Sequence, residues 1–334
     1  MGEVMRLILH LVRLLFRGAA LFMVLLALGL GLAGLGGVFS DRLDVPTHFA
    51  PIWLVLGLAG ALVAAVVSRR SERWAVVAMG VVAILANGGQ MAPELINAAR
   101  QKPAADAAAL PATLKVIQFN AYAANSDPDK ALDWIMAQEA DVVLIEEGGN
   151  QAWPLVSALR RLYPFTVSCA GSRKACETWI FSRKRMIDRG GLYTGPNRFS
   201  GAWATLADAG GPFTVVAGHY VWPIPAGAQQ AQARQLADFL GRFDKSSTIV
   251  AGDFNSTPWS WSLRRQDRMF GLERRTLALP TWPAAGGLRV GEAPFPLLPI
   301  DHLYAGSRWK TVGVRRGPSI GSDHLPVVVT LRRP

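Results

Sequence analysis

The chain has 334 residues, a net charge of +11 and a hydrophobic share of 51%. That apolar share argues against a purely soluble protein, and the length allows one large domain or two ordinary ones. The positive charge fits an anionic substrate, an anionic membrane surface or basic membrane-flanking loops, and charge alone does not choose among them.

The apolar excess is concentrated before about residue 92. Arg6, Arg13 and Arg17 lead into an apolar run from Gly18 to Val38, long enough to cross a bilayer. A cleaved signal peptide would start the same way. Two further apolar runs, Phe49 to Val67 and Trp74 to about Ala86, favour three transmembrane helices over residues 1–92. The third is the weakest, because Asn87, Gly88, Gly89 and Gln90 interrupt its end. Arg69, Arg70 and Arg73 lie between the second and third runs, while Asp41, Arg42 and Asp44 between the first two give little positive bias. The positive-inside rule therefore puts the N-terminus in the cytoplasm and everything after three crossings outside. In a bacterium this means a multi-pass inner-membrane protein with a periplasmic domain. Residues 93–113, rich in Ala and Pro, read as a linker.

The remaining segment, 114–334, alternates short strands with a few helices. Leu114 to Asn120 is a strand ending in an amide, and Asp127-Pro128 opens a helix carrying Leu132, Ile135 and Met136. Asp141 to Ile145 is an apolar strand tipped by Glu146 and Glu147. A buried strand ending in acid is a good metal platform, although a solvated strand end has the same pattern. Thr178 to Ser182, Ala202 to Leu206 and Phe213 to His219 are further strands, and Gln229 to Phe239 is a helix. This order argues for a two-sheet α/β sandwich rather than a Rossmann repeat. No G-x-G-x-x-G or phosphate-loop motif is present. Cys169 and Cys176 flank a polar turn, which fits either a disulfide in an oxidising compartment or two free thiols, and makes a poor zinc site.

The chemistry-bearing stretch is Ile249 to Pro258. An apolar strand meets Gly252, then Asp253 and Asn255 enter a Ser/Thr/Pro turn. Strand alternation points Asp253 and Asn255 one way and Phe254 the other. An Asx-type turn would carry the same residues. Two Asp-His pairs follow, Asp301-His302 and Asp323-His324, and three of the five histidines (His219, His302, His324) lie in or beside such motifs.

Phe119-Asn120, Leu144 to Glu147, Gly218-His219, Gly252 to Asn255, Ile300 to His302 and Ser322 to His324 resemble, in this order, the endonuclease/exonuclease/phosphatase superfamily of DNase I-like enzymes. Ser256 to Ser260 and Thr281 to Pro283 resemble its membrane-anchored bacterial branch. The resemblance implies a four-layer αββα sandwich and catalysis by a divalent cation, Mg2+ or Mn2+. It implies Glu147 as the main metal carboxylate, with Asn120 and Asp323 completing or bordering the metal shell. Asp253 would position or deprotonate the attacking water, and Asn255 would hold a phosphate oxygen and fix Asp253. His324, oriented by Asp301, would meet the phosphoryl group, with His219 on its other side. His302 is expected to be structural. The family usually has Gln-Glu where this chain has Glu146-Glu147, so an extra negative charge is expected beside the metal. Trp222 and Trp259 are expected either to contact substrate or to pack.

These expectations describe a membrane-anchored phosphoesterase acting on a phosphodiester in nucleic acid or phospholipid. Arg264, Arg265, Arg268, Arg274 and Arg275 would contact nucleic-acid phosphates or anionic lipid. A membrane receptor that keeps the fold without the reaction is the alternative, and the retained acids and His324 argue against it.

Overall fold

The computed structural model describes residues 2–101, 113–170, 176–194, 199–284 and 295–333, so most of the expected linker lies outside the described residues. The chain divides into two compact units: Met1–Ile96 with Trp259–Trp261, and Asn97–Pro258 with Ser262–Pro334.

The first unit holds α1 (Gly2–Leu35), the short α2 (Asp41–Asp44), α3 (Ala50–Val67) and α4 (Arg70–Arg100). Three helical segments, Gly2–Val38, Asp41–Val67 and Arg70–Arg100, are long and apolar enough to span a membrane. Leu15, Phe22, Val66 and Leu85 are exposed, whereas Ala20, Ala27, Ala61, Ala64 and Ala83 are buried between helices. Small residues let helix backbones approach closely when apolar burial gives no preference for protein over lipid. A Cβ at Gly60 would meet the Ala20 carbonyl oxygen at 2.9 Å.

Two sequence expectations change here. Asn87 and Gln90 do not interrupt the third helix. They are buried within it, and their amides donate to the carbonyls of Ala27 (3.1 Å) and Gly31 (3.3 Å) on α1. The helix also continues past residue 92 to Arg100, with Pro93 inside it. Proline removes one helical donor, and α4 carries Pro93 at the cost of that hydrogen bond. Glu94 to Ala99 are ordinary helix formers whose contribution the Ala/Pro composition masks. Trp259 is buried in this unit, and the Trp261 indole donates to the Gly34 carbonyl at 2.9 Å.

The second unit runs β1 (Thr113–Asn120), α5 (Pro128–Ala137), β2 (Val142–Glu146), α6 (Trp153–Leu162), β3 (Phe165–Ser168), β4 (Trp179–Ser182) and β5 (Met186–Thr194). It continues with β6 (Phe199–Leu206), β7 (Phe213–His219), α7 (Ala228–Leu240), β8 (Ile249–Asp253), α8 (Trp261–Phe270), β9 (Glu273–Arg274), β10 (Asp301–Ala305), β11 (Lys310–Arg316) and β12 (Val327–Arg332). The strands form two six-stranded sheets, ordered β11-β12-β1-β2-β4-β3 and β5-β6-β7-β8-β10-β9.

Strand alternation explains the layers. In β1, Leu114 and Val116 join the core between the sheets, while Ile117 and Phe119 pack with Ile135, Leu155 and Leu159 of α5 and α6. In β8, Ile249 and Ala251 face the shared core, and Val250 faces Leu236 and Leu263 of α7 and α8. The result is helices, sheet, sheet, helices, as expected. Asp127 caps α5, its carboxylate accepting the Lys130 backbone N–H at 3.0 Å. Cys169 and Cys176 are joined as a disulfide with Cα atoms 5.6 Å apart.

Candidate active site

Register brings the polar residues to one edge. β1 and β2 run parallel with Asn120 opposite Glu146, and β7 and β8 run parallel with His219 opposite Asp253. β10 returns antiparallel, setting Asp301 opposite Asp253. Gly252 does not end its strand, contrary to the sequence reading. It lies inside β8, where a Cβ would sit 1.8 Å from the Gly218 carbonyl oxygen, so two glycines let β7 and β8 meet there.

Asp253 is the hub. Its Oδ2 accepts the Asn120 amide at 3.0 Å and lies 3.7 Å from Nε2 of both His219 and His324. Its Oδ1 accepts the Asn255 backbone N–H at 2.8 Å. Asn255 adopts φ +48°, so strand alternation does not carry through to it. The Asx turn and the site are the same structure: the turn anchors Asp253, and the Asn255 amide donates to the Tyr220 carbonyl at 2.9 Å. Burial pushes the Asp253 pKa up to about 6 against the pull of His324.

His324 Nδ1 lies 2.8 Å from Asp301 Oδ2. Asp301 also accepts from Thr281 at 2.5 Å and Gln118 at 2.8 Å. Burial opposes charge on the imidazole, but Asp301 and Asp253 outweigh it and hold the His324 pKa up at about 10. The reciprocal effect holds Asp301 below the usual carboxylate range despite its burial.

Glu147, at φ +51°, turns its carboxylate towards Asn120 (3.1 Å), the Ala123 backbone N–H (3.3 Å) and His219 (3.6 Å). Burial works against its charge, but His219 and these donors keep the carboxyl below its ordinary value. Asp323 Oδ2 accepts the Trp282 indole N–H at 3.2 Å, while its buried Oδ1 has no hydrogen-bond partner among the described residues. Burial raises the Asp323 carboxyl.

Glu146 corrects the expected extra charge. It is fully buried, and desolvation pushes its carboxyl well above the ordinary range, which works against a charge at this position. Its Oε2 accepts from Gln118 at 2.9 Å, and the same Gln118 nitrogen donates to Asp301. Sequence reasoning missed Gln118. Its signal is a polar residue in an apolar strand two positions before Asn120, hence on the same face.

His302 is buried, with Nε2 at 2.8 Å from the Ser256 carbonyl oxygen, which is a structural position. Trp222 is exposed and packs edge-on against Trp282, with ring centroids 5.9 Å apart. Three of the five arginines expected to meet phosphate or anionic lipid have partners within the protein. Arg275 is buried against the carbonyls of Ala305, Gly306 and Trp309, Arg274 pairs with Asp267, and Arg265 donates to Gln230.

A DNase I-like sandwich with acids, amides and histidines collected at one strand-end edge defines a phosphoesterase-type hydrolase. The sequence profile of the endonuclease/exonuclease/phosphatase family matches residues 117–324, and the chain belongs to that family. No curated protein sequence matches the chain. Its fold is similar to an endonuclease/exonuclease/phosphatase from Beutenbergia cavernae, with 22% identity, a TM-score of 0.51, and coverage of 66% of this chain and 72% of that one. It is similar to beta toxin from Staphylococcus aureus with bound magnesium ions, at 13% identity and TM-score 0.52, covering 65% of this chain and 99% of that one. It is also similar to D. rerio TDP2 complexed with single-strand DNA product, at 14% identity and TM-score 0.54, covering 66% and 99%.

Proposed function

We propose that the chain is a membrane-anchored phosphodiesterase that uses Mg2+ or Mn2+ and in-line attack by water, on nucleic acid or phospholipid. The observation that carries this reading is the Asp301–His324 ion pair ending 3.7 Å from Asp253, beside the Asn120–Glu147 contact. Such an edge offers a cationic donor, a poised carboxylate and oxygen ligands together.

The donor set fits a hard cation. Glu147, Asn120 and Asp323 all offer oxygen, and the buried Oδ1 of Asp323 has no hydrogen-bond partner among the described residues. These three residues would hold the ion. The groups Asp253, Asp301 and His324 also lie within 4.8 Å of one another, but there the Asp301 charge is already met by His324. When bound, the cation offsets charge on the phosphoryl oxygens and on the leaving alkoxide.

Asp253 accepts the proton of the attacking water, for which a pKa of about 6 is well matched near neutral pH. The Asn255 backbone fixes the orientation of Asp253, and its remaining amide hydrogen reaches a phosphate oxygen. His324, held as imidazolium by Asp301, donates to a second phosphoryl oxygen. His219 flanks the phosphate from the Glu147 side.

The N-terminal helices supply the anchor. The arginines in the N-terminal half of α1 and around the start of α4 support a cytoplasmic N-terminus and an exported catalytic unit, and the disulfide agrees with that compartment. The full chain, purified in detergent with Mg2+ or Mn2+, tests the reading against plasmid DNA and phospholipid vesicles in parallel. Metal-dependent cleavage of one substrate, lost in Asp253→Ala, supports it and assigns the substrate. Equal cleavage by Asp253→Ala contradicts it.

A further inference from the structure

The helical unit carries a second concentration of charge that the proposed chemistry does not use. Arg6, His10, Arg13 and Arg17 are spaced four, three and four residues apart, which places them along one stripe of α1. Leu11, Val12, Leu14, Leu15 and Phe16 around them are exposed and apolar. The stripe meets the C-terminal end of α3, and the two helices enclose a cavity of about 480 Å³. Its basic lining is Arg13, Arg17 and Arg69, with His10 beside them, and its remaining wall includes Leu14, Val66 and Val67.

Only part of this charge is neutralised by protein. Glu72 pairs with Arg17. Among the described residues no ion pair involves Arg13 or Arg69. A purely topological role requires positive charge on one side of the membrane. It does not require a guanidinium of α1 and one of the α3–α4 connection to line one cavity with an apolar wall.

We propose that this cavity binds the phosphate head of an anionic phospholipid from the surrounding bilayer. Guanidinium groups match phosphate oxygens in geometry as well as charge. The cavity lies immediately before the apolar run that begins at Gly18, so a head held by Arg13 and Arg69 keeps its acyl chains beside bilayer-spanning surface. Val66 is 79% exposed and Leu14 is 54% exposed, which gives those chains apolar protein to lie against. Free phosphate would gain nothing from that wall. The inference rests on the helices crossing a membrane and is independent of the phosphodiesterase reading.

The test uses the full chain reconstituted in vesicles of equal phosphatidylglycerol and phosphatidylcholine, then extracted in mild detergent, with retained lipid counted by native mass spectrometry. Wild type is expected to retain phosphatidylglycerol preferentially. Arg13→Gln with Arg69→Gln is expected to lower that preference about thirtyfold. The charge-matched pair Arg6→Gln with Arg70→Gln, outside the cavity lining, is expected to keep it. Arg13→Lys with Arg69→Lys keeps the topological charge and is expected to give intermediate retention. Protease protection confirms insertion of each variant, and should the glutamine pair fail to insert, the lysine pair decides. Equal loss in the cavity pair and the matched pair would mean diffuse charge attraction and overturn the proposal. So would wild-type retention in the inserted cavity pair, wild-type retention in a deciding lysine pair, or displacement of the lipid by inorganic phosphate alone.

Discussion

Glu146 and Glu147 are adjacent carboxylates in opposite environments at the end of β2. Glu146 stays in the strand, where burial pushes its carboxyl up, while the left-handed backbone at Glu147 turns its side chain to the site edge. A carboxyl raised by burial makes folding take up a proton above its unfolded pKa, so its cost to stability grows as pH rises. Glu146→Gln removes that cost. We expect the variant to keep activity within about threefold of wild type, and its melting temperature relative to wild type to be higher at pH 8 than at pH 5. A large loss of activity would show that Glu146 acts as a charged group. His324 has the opposite sign. Its folded pKa of about 10 lies above the ordinary 6.5, so its stabilisation is complete below 6.5 and disappears as pH rises through about 10. With five histidines in the chain, NMR of ¹³C-histidine-labelled, metal-free protein should show one ring titrating near 10 that is missing in His324→Gln. A spectrum in which every ring is neutral by pH 8 would contradict the Asp301–His324 pairing.

At the scale of elements, the site exists because strand ends coincide. Gly218 and Gly252 face each other where β7 and β8 approach too closely for a side chain. Gly252→Ala is expected to destabilise the catalytic unit by more than ~3 kcal/mol and to abolish activity, because the displaced strand carries Asp253 and pairs with the strand that carries His219. Unfolding monitored by intrinsic fluorescence checks this, and a wild-type midpoint would contradict the close packing. The strands bearing Asn120, Glu147, His219 and Asp253 were legible because each is an apolar run ending in one polar residue. The arginine group around α8 was not legible. Arg275 reads as surface charge in sequence, yet the carbonyls of Ala305, Gly306 and Trp309 surround its guanidinium in the fold. Such carbonyl partners come from distant residues and leave no local signal. Arg275→Gln is therefore expected to lower the unfolding midpoint markedly, with little change in KM for the folded fraction.

At the scale of the whole molecule, the division into an apolar helical unit and an αββα unit was readable from hydropathy and motif order. The boundary was less so. Composition placed it near residue 92, but the third helix continues through Pro93 to Arg100. Glycine and amides within α4 likewise read as an interruption, although Asn87 and Gln90 are the polar contacts that hold it to α1. These side chains find carbonyl partners on another helix, which local patterning does not show.

The central claim is that Asp253, set between two histidines and beside a set of oxygen ligands, drives metal-dependent phosphodiester hydrolysis. The most direct measurement is single-turnover cleavage of a phosphodiester substrate by the full chain, with and without Mg2+ or Mn2+, comparing wild type with Asp253→Asn. The account predicts metal-dependent cleavage that falls by about a thousandfold or more in the variant, at unchanged melting temperature. Cleavage that is indifferent to metal, or equal in Asp253→Asn, would contradict it.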